Sequence, residues 1–151
     1  MTEAIRLAGV RAVLVTGWGG VRLDDVPEGI LVLDQVPHDW LFPRMAAIVH
    51  HGGSGTTGAA LAAGRPQVVC PFVADQPFWA ARMHAAGVAP APQRPLTAES
   101  LAAAIRLAVT DRALAERAQS LGERVRAEDG ITAAVKVLEW VGTARPGGRR
   151  P

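Results

Sequence analysis

AAIVHHGGSGTTG, residues 46–58, is an apolar run that passes through a glycine-rich turn into a helical segment. The apolar part, from Ala46 to His50, has the length and composition of a buried strand. Glycines stop this strand, and a helix is expected over residues 56–63, ended by Gly64. A strand that turns directly into a helix is the building unit of an α/β fold.

The same alternation of short apolar runs and helical segments extends to both sides of this stretch. Strands are predicted at residues 12–16, 30–33 and 68–70, with a short one near 88–89. Helices are predicted at residues 3–8, 76–86, 101–109, 111–128 and 131–141, with a helical turn over 38–45 that Pro43 interrupts, and with Thr97, Ser100 and Asp111 as caps. The pattern predicts one α/β domain over residues 1–142, a Rossmann-like parallel sheet with helices on both faces. Residues 143–151 are predicted to be a disordered tail.

The composition is that of a globular protein and excludes several functional classes. The chain has 151 residues, of which 49% are hydrophobic, and a formal net charge of +2. Basic and aromatic residues do not interleave on one stripe, so no nucleic-acid partner is expected. We see no secretion signal and no run near the roughly 20 apolar residues of a transmembrane segment. A single cysteine, Cys70, cannot form an internal disulfide, and a cytoplasmic location is expected.

The glycine-rich turn has the chemistry of an anion site. Parallel α/β sheets bind ligands at the carboxyl ends of their strands, which is where this turn lies. The backbone N–H groups of Ser54, Gly55 and Thr56 precede the helix, and the helix dipole favours a negative charge there. A structural alternative is that the glycines only allow a tight turn and that Ser54 is an ordinary N-cap. The Gly-Lys-Ser/Thr of a P-loop is missing, which argues against nucleoside triphosphate hydrolysis of that type.

A dinucleotide-binding site is a further alternative. Gly53-Ser54-Gly55-Thr56-Thr57-Gly58 is a GxGxxG string between a strand and a helix, and Asp75 follows at the distance of a ribose-binding acid. Two observations count against it. That motif normally follows the first strand of its unit, whereas two strands precede it here, and it does not require two histidines before the glycines.

Three motifs in this order resemble one family. They are Val36-Pro37-His38-Asp39-Trp40-Leu41-Phe42-Pro43, the turn from His50 to Thr57, and Pro71-Phe72-Val73-Ala74-Asp75-Gln76-Pro77-Phe78-Trp79. Together they resemble the UDP-glycosyltransferase superfamily, glycosyltransferase family 1. The nearest branch contains the sterol 3-β-glucosyltransferases and the bacterial glycosyltransferases of macrolide and glycopeptide biosynthesis. Gly17-Trp18-Gly19-Gly20 and Glu128-Asp129-Gly130 fit the sterol branch as well.

The resemblance implies a GT-B fold, in which two Rossmann-like domains face each other and the C-terminal one binds the nucleotide-sugar. By this resemblance, His51 contacts the donor's diphosphate. The phosphate cradle consists of Gly53, Ser54, Gly55 and Thr56. Asp75 and Gln76 bind the sugar hydroxyls, and the nucleobase lies near Gln35, Val36 and Trp18. Trp79 is interpreted as a packing residue, as are Trp40, Phe42 and Phe72.

The resemblance also implies what the chain lacks. It begins inside the family's first helix, so the first strand is missing and a sheet edge is expected to be exposed. The general base of the family lies in the N-terminal acceptor domain, so no catalytic residue is assigned here. No Asp-x-Asp string or metal-ligand cluster is recognised, so no metal and no cofactor are expected. A partner is expected instead: the missing acceptor-binding domain, a partner subunit or a second copy in a homodimer. The chain alone is expected to be inactive.

Overall fold

The computed structural model describes residues 1–17 and 26–143 and shows helices alternating with short parallel strands. The elements, in chain order, are α1 (Thr2–Ala8), β1 (Ala12–Val15), β2 (Ile30–Leu33), α2 (His38–Leu41), a 3-10 turn (Phe42–Arg44), β3 (Ile48–His50), α3 (Ser54–Ala62), β4 (Gln67–Val69), α4 (Gln76–Ala85), α5 (Ala98–Thr110), α6 (Arg112–Ala127) and α7 (Gly130–Thr143). The predicted α/β class is thereby confirmed. The predicted tail, apart from Thr143 at the end of α7, lies outside the described residues.

Several predicted elements differ from the structure. Helix α5 begins at Ala98, three residues earlier than predicted, and β3 begins at Ile48, two residues later than predicted. Helix α3 begins at Ser54, two residues earlier than predicted, because Gly53 is the N-cap in an extended conformation. The predicted strand at 88–89 is not a strand. The carbonyl of Val88 accepts one hydrogen bond from the Gln67 N–H at 2.9 Å, and this single link does not make a ladder.

The predicted helix caps are confirmed. The Thr97 hydroxyl accepts from the Ser100 N–H and the Ser100 hydroxyl accepts from the Thr97 N–H, a reciprocal capping box at the start of α5. The Asp111 carboxylate accepts from the Leu114 N–H at the start of α6. Short polar side chains before apolar helical periods therefore mark both helix starts in the sequence.

The parallel sheet is interrupted. Strand β1 pairs with β2 in the register Ala12 to Ile30, β3 pairs with β4 in the register Ile48 to Gln67, and within the described residues no ladder joins the two pairs. Backbone groups of alternate residues in a parallel strand point to opposite edges. Because the Ala12 N–H donates to Gly29 and the Ile48 N–H donates to Pro66, the backbone groups of Val13 and Val49 point away from these pairs.

Helices cover both faces of β4. Successive side chains of a strand point to opposite faces. Val68 accordingly packs into a cluster with α1 and α5 that includes Ala4, Leu101 and Ile105, while Val69 packs with residues of α4 and α6. Cys70 lies in the first cluster, and burial raises the pKa of its thiol to about 11.

Helix α7 differs from the other long helices because its apolar residues face solvent. Ile131 is 81% exposed and Leu138 is 70% exposed, and Val137 is exposed as well. Among the described residues, no helix is long and apolar enough to cross a membrane.

Candidate functional site

The glycine-rich turn lies against the start of α4. Gly52 has a φ of +93°, and a Cβ there would lie 2.9 Å from Val69 Cγ1 and 3.1 Å from the Gln76 carbonyl oxygen. Only glycine fits this space, because a side chain would collide with both β4 and the first residue of α4. The structure therefore brings together two segments that are separate in the sequence, the turn around His51 and the Asp75-Gln76 pair.

The first turn of α3 presents unpaired backbone donors. Its first intrahelical hydrogen bond runs from the Thr57 N–H to the Gly53 carbonyl at 2.9 Å. The N–H groups of Ser54, Gly55 and Thr56 precede that bond and have no acceptor within the helix. Gly53, as the N-cap, has no side chain to occupy them. The positive end of the helix dipole lies at the same place, so the turn is suited to an anion.

His51 lies over this helix start. Its side chain is exposed, and its Nε2 is 2.5 Å from the position that a Cβ of Gly53 would occupy. A side chain at residue 53 would displace the imidazole, so Gly53 allows His51 to lie close to the backbone. The predicted diphosphate contact thus has an imidazole, free N–H groups and an exposed Ser54 in one place.

His50 has a structural role beside this turn. It is 8% exposed, its Nδ1 accepts from the Gly52 N–H at 3.0 Å and its Nε2 lies 2.8 Å from Oε1 of the buried Gln67. Since Nδ1 is an acceptor, Nε2 carries the proton and donates to Gln67. Burial lowers the pKa of His50, so its neutral form fixes the backbone of the turn.

The start of α4 holds the Gln76 side chain inward. Its Oε1 accepts from the N–H groups of Phe72 at 2.8 Å and Val73 at 3.1 Å. Ala74, between these residues and the helix, has a left-handed φ of +55°, an uncommon conformation for a residue with a Cβ. The side-chain oxygen of Gln76 is thus already hydrogen-bonded to the backbone, and the side-chain NH2 remains as the group that can bind a ligand.

Asp75 occupies the N-cap position of α4 without capping it. Its carboxylate makes no capping hydrogen bond, and its Oδ2 instead accepts from the Trp79 indole N–H at 2.8 Å. The Asp75 carboxylate is therefore held by the indole of Trp79 and not by the backbone of the helix start. The partnership with Trp79 was missed in the sequence, although a spacing of four residues across a helix start is the signal that could have indicated it.

The predicted nucleobase contacts Gln35 and Val36 lie in the chain between β2 and α2. Gln35 is exposed and Val36 is half-buried after the end of β2, where Val36 packs near Leu41. Among the described residues, neither side chain is hydrogen-bonded to the glycine-rich turn. Trp18 lies outside the described residues. The contact at Gly52 thus joins the turn of the predicted phosphate contacts to Gln76 of the predicted sugar contacts, and the base contacts remain a prediction.

Solved structures with this fold are glycosyltransferases of the GT-B class. The spinosyn rhamnosyltransferase SpnG matches with a TM-score of 0.78 and 28% identity, over 91% of this chain and 39% of that one. The glycosyltransferase VinC, solved in complex with dTDP, matches with a TM-score of 0.77 and 26% identity, over 91% of this chain and 37% of that one. The fold is thus the α/β half-domain of a GT-B glycosyltransferase.

Curated relatives define the family. Sterol 3-beta-glucosyltransferase UGT80A2 of Arabidopsis thaliana is 42% identical over 141 residues, 91% of this chain and 22% of the relative. O-mycaminosyltylonolide 6-deoxyallosyltransferase of Streptomyces fradiae is 48% identical over 143 residues, 93% of this chain and 33% of the relative. The chain thus spans about a third or less of these relatives' length. It belongs to the erythromycin biosynthesis protein CIII-like C-terminal domain family, whose profile matches residues 12–140. The resemblance stated from three motifs is confirmed.

Proposed function

We propose that the chain binds the nucleotide-sugar donor of an inverting, metal-independent glycosyltransferase. The intact enzyme transfers a hexose from a UDP-sugar or dTDP-sugar to a hydroxyl group of a sterol-, lipid- or polyketide-like acceptor. The observation that carries this proposal is the contact between two segments at Gly52. It supports the proposal because it joins the glycine-rich turn, which contains His51 and leads into α3, to Gln76 at the start of α4.

Each group in this proposal has a defined chemical task. Departure of the nucleoside diphosphate builds negative charge, which the α3 N–H groups and the His51 imidazole stabilise because they are already oriented. The Asp75 carboxylate accepts from a sugar hydroxyl and the Gln76 amide donates to one. Gln35, Val36 and Trp18 remain the proposed contacts of the nucleobase. The backbone N–H groups, the helix dipole and the imidazole stabilise the negative charge in this proposal, so we propose neither a metal nor another cofactor.

The relatives support the breadth of this proposal. VinC was solved in complex with dTDP, while one relative is a sterol glucosyltransferase and another a deoxyallosyltransferase. These enzymes differ in their acceptors but resemble this chain in the same domain, which supports a donor-binding domain that can serve different acceptors. Deprotonation of the acceptor belongs, in this proposal, to a residue outside the chain.

Isothermal titration calorimetry with UDP, dTDP and NADH tests the donor site. We expect saturable binding of UDP or dTDP, and His51→Ala weakens it about tenfold because one charge-assisted hydrogen bond is lost. His38→Ala, at an exposed histidine on α2, is the matched control and leaves binding unchanged. Binding of NADH alone supports the dinucleotide alternative instead. Failure of both UDP and dTDP to bind at millimolar concentration contradicts the proposal.

A second candidate is a donor-binding subunit, inactive alone, of a split glycosyltransferase. Within residues 1–17 and 26–143, no strand pairs with the outer edges of β1 and β3, and the apolar residues of α7 are exposed. Both features favour this candidate, because such surfaces are normally covered by another polypeptide. The partner is an acceptor-binding domain or a second copy of the chain. Light scattering and glucosyl transfer to a sterol are the tests, and a monodisperse monomer with transferase activity contradicts this candidate.

A further inference from the structure

The Asp75-Gln76 pair is already half-occupied by the protein's own groups. Trp79 Nε1 donates to Asp75 Oδ2 at 2.8 Å, and two backbone N–H groups donate to Gln76 Oε1. Among the described residues, no hydrogen bond reaches Asp75 Oδ1 or the amide NH2 of Gln76, so these two groups are fully open to a ligand. The pair therefore presents one acceptor and one donor side by side.

The carboxylate of Asp75 has no other anchor in the described part of the chain. Its side chain is exposed and does not cap α4, so without the indole it would be free to rotate about χ1 and χ2. Trp79 is half-buried, and its ring is packed edge-on against Phe78, with the centroids 5.3 Å apart and the planes at 77°. The half-buried Trp79 indole thus fixes the orientation of the exposed Asp75 carboxylate.

We propose that Trp79 is a positioning residue for sugar recognition, acting through Asp75. By occupying Oδ2, the indole N–H leaves Oδ1 as the oxygen that accepts from a sugar hydroxyl, next to the Gln76 amide that donates to a neighbouring sugar oxygen. This arrangement fits a hexose that has retained adjacent oxygen substituents. The inference rests on the proposed donor site and goes beyond it, because it assigns part of the sugar-dependent affinity to a residue that contacts no ligand and acts through Asp75.

The test separates the sugar from the nucleotide. UDP and UDP-glucose are titrated calorimetrically into the full chain. The dissociation constant of UDP divided by that of UDP-glucose measures how much affinity the glucose adds. Trp79→Phe keeps the aromatic ring and removes the N–H. We expect this variant to lower the ratio about fivefold, as for loss of a hydrogen bond to a charged group in a partly exposed site, and to leave the UDP dissociation constant unchanged.

Two controls distinguish positioning from a general structural effect. Trp40→Phe makes the same change at an exposed tryptophan on α2 and leaves the ratio unaltered. Asp75→Ala lowers the ratio by itself, and adding Trp79→Phe to it produces no further loss, because Trp79 acts through the missing carboxylate.

The outcomes overturn different statements. An unchanged ratio in Trp79→Phe, or a further loss in the Asp75→Ala background, refutes the positioning role. Equal affinity of the unaltered chain for UDP and UDP-glucose refutes the sugar contact, and with it the role of Trp79, but leaves the nucleotide site standing. Absence of binding to UDP and UDP-glucose, together with absence of binding to dTDP in the titration above, refutes the proposed function itself, and the inference with it.

Discussion

Strands β1 and β4 are both short, apolar and parallel to a neighbour, yet their surroundings differ. All three residues of β4 are buried, whereas none of the four residues of β1 is. Strand β4 is bonded on both edges: to β3 on one side and, on the other, to Val88 and Gln93 through single backbone hydrogen bonds. Strand β1 is bonded to β2, and the backbone groups of Val13 on its other edge face away from that pair.

This difference in burial also separates two parts of the candidate site, the phosphate and sugar contacts on one side and the base contacts on the other. The proposed phosphate and sugar contacts follow β3 and β4, where packing within the chain fixes them. The proposed base contacts, Gln35 and Val36, follow β2, whose one strand partner in the described part of the chain is the half-exposed β1. We therefore infer that the diphosphate and sugar parts of the site are preorganised in this chain to a greater extent than the base part.

The largest effect is expected from breaking the packed region at Gly52. In Gly52→Ala a methyl group at a φ of +93° would meet Val69 Cγ1 at 2.9 Å and the Gln76 carbonyl oxygen at 3.1 Å. Strain and overlap together lower the free energy of unfolding by about 3 kcal/mol. UDP binding is lost with it, because the turn moves away from α4.

Gly29→Ala is the matched control for this prediction, and urea unfolding is the measurement. Gly29 also has a positive φ, +83°, but the nearest atom to its Cβ is Arg11 Cγ at 3.7 Å. Backbone strain alone then costs about 1 kcal/mol. Equal destabilisation by the two substitutions would show that contact with β4 and α4 contributes nothing.

Amide hydrogen exchange sharpens the comparison between the strand edges. The N–H groups of Val13 and Val49 face the interruption of the sheet, whereas those of Leu14 and His50 bond within their pairs. We expect Val13 and Val49 to exchange at least about a hundredfold faster than their neighbours, since they open without breaking a ladder. Equal protection at all four amides would mean that another segment covers the interruption.

The smallest effect is a pH dependence that comes from the packed region. Burial lowers the pKa of His50 below its ordinary value of 6.5, so below pH 6.5 the unfolded chain binds a proton that the folded chain excludes. The free energy of unfolding therefore falls as the pH is lowered through this range, with a slope of at most about 1.4 kcal/mol per pH unit.

Urea unfolding between pH 7 and pH 5 measures this slope, and His50→Gln reduces it. His84→Gln, at an exposed histidine on α4 that is not among the groups acting on His50, retains the slope of the unaltered chain. A slope that survives in His50→Gln would assign the pH dependence to other groups.

Local signals in the sequence predicted the elements of the fold, and tertiary contacts decided the rest. Asp111 marks its helix start because capping needs only the next three residues, and the glycine-rich turn is visible for the same reason. The interruption of the sheet depends on which strands become neighbours, which no local pattern encodes. In the site, the sequence gives the presence of Asp75 and Gln76, but their hydrogen bonds depend on side-chain rotamers set by Trp79 and by the turn before α4.

Cys70 makes the buried layer chemically observable. Its thiol is 4% exposed and has a pKa of about 11, so at neutral pH almost none of it is thiolate, the form that attacks alkylating and disulfide reagents. Because it is the chain's single cysteine, the rate at which a thiol reagent modifies it measures how often the layer between β4 and α5 opens. A bound ligand that makes this opening rarer lowers the modification rate of Cys70, whichever part of the molecule the ligand contacts.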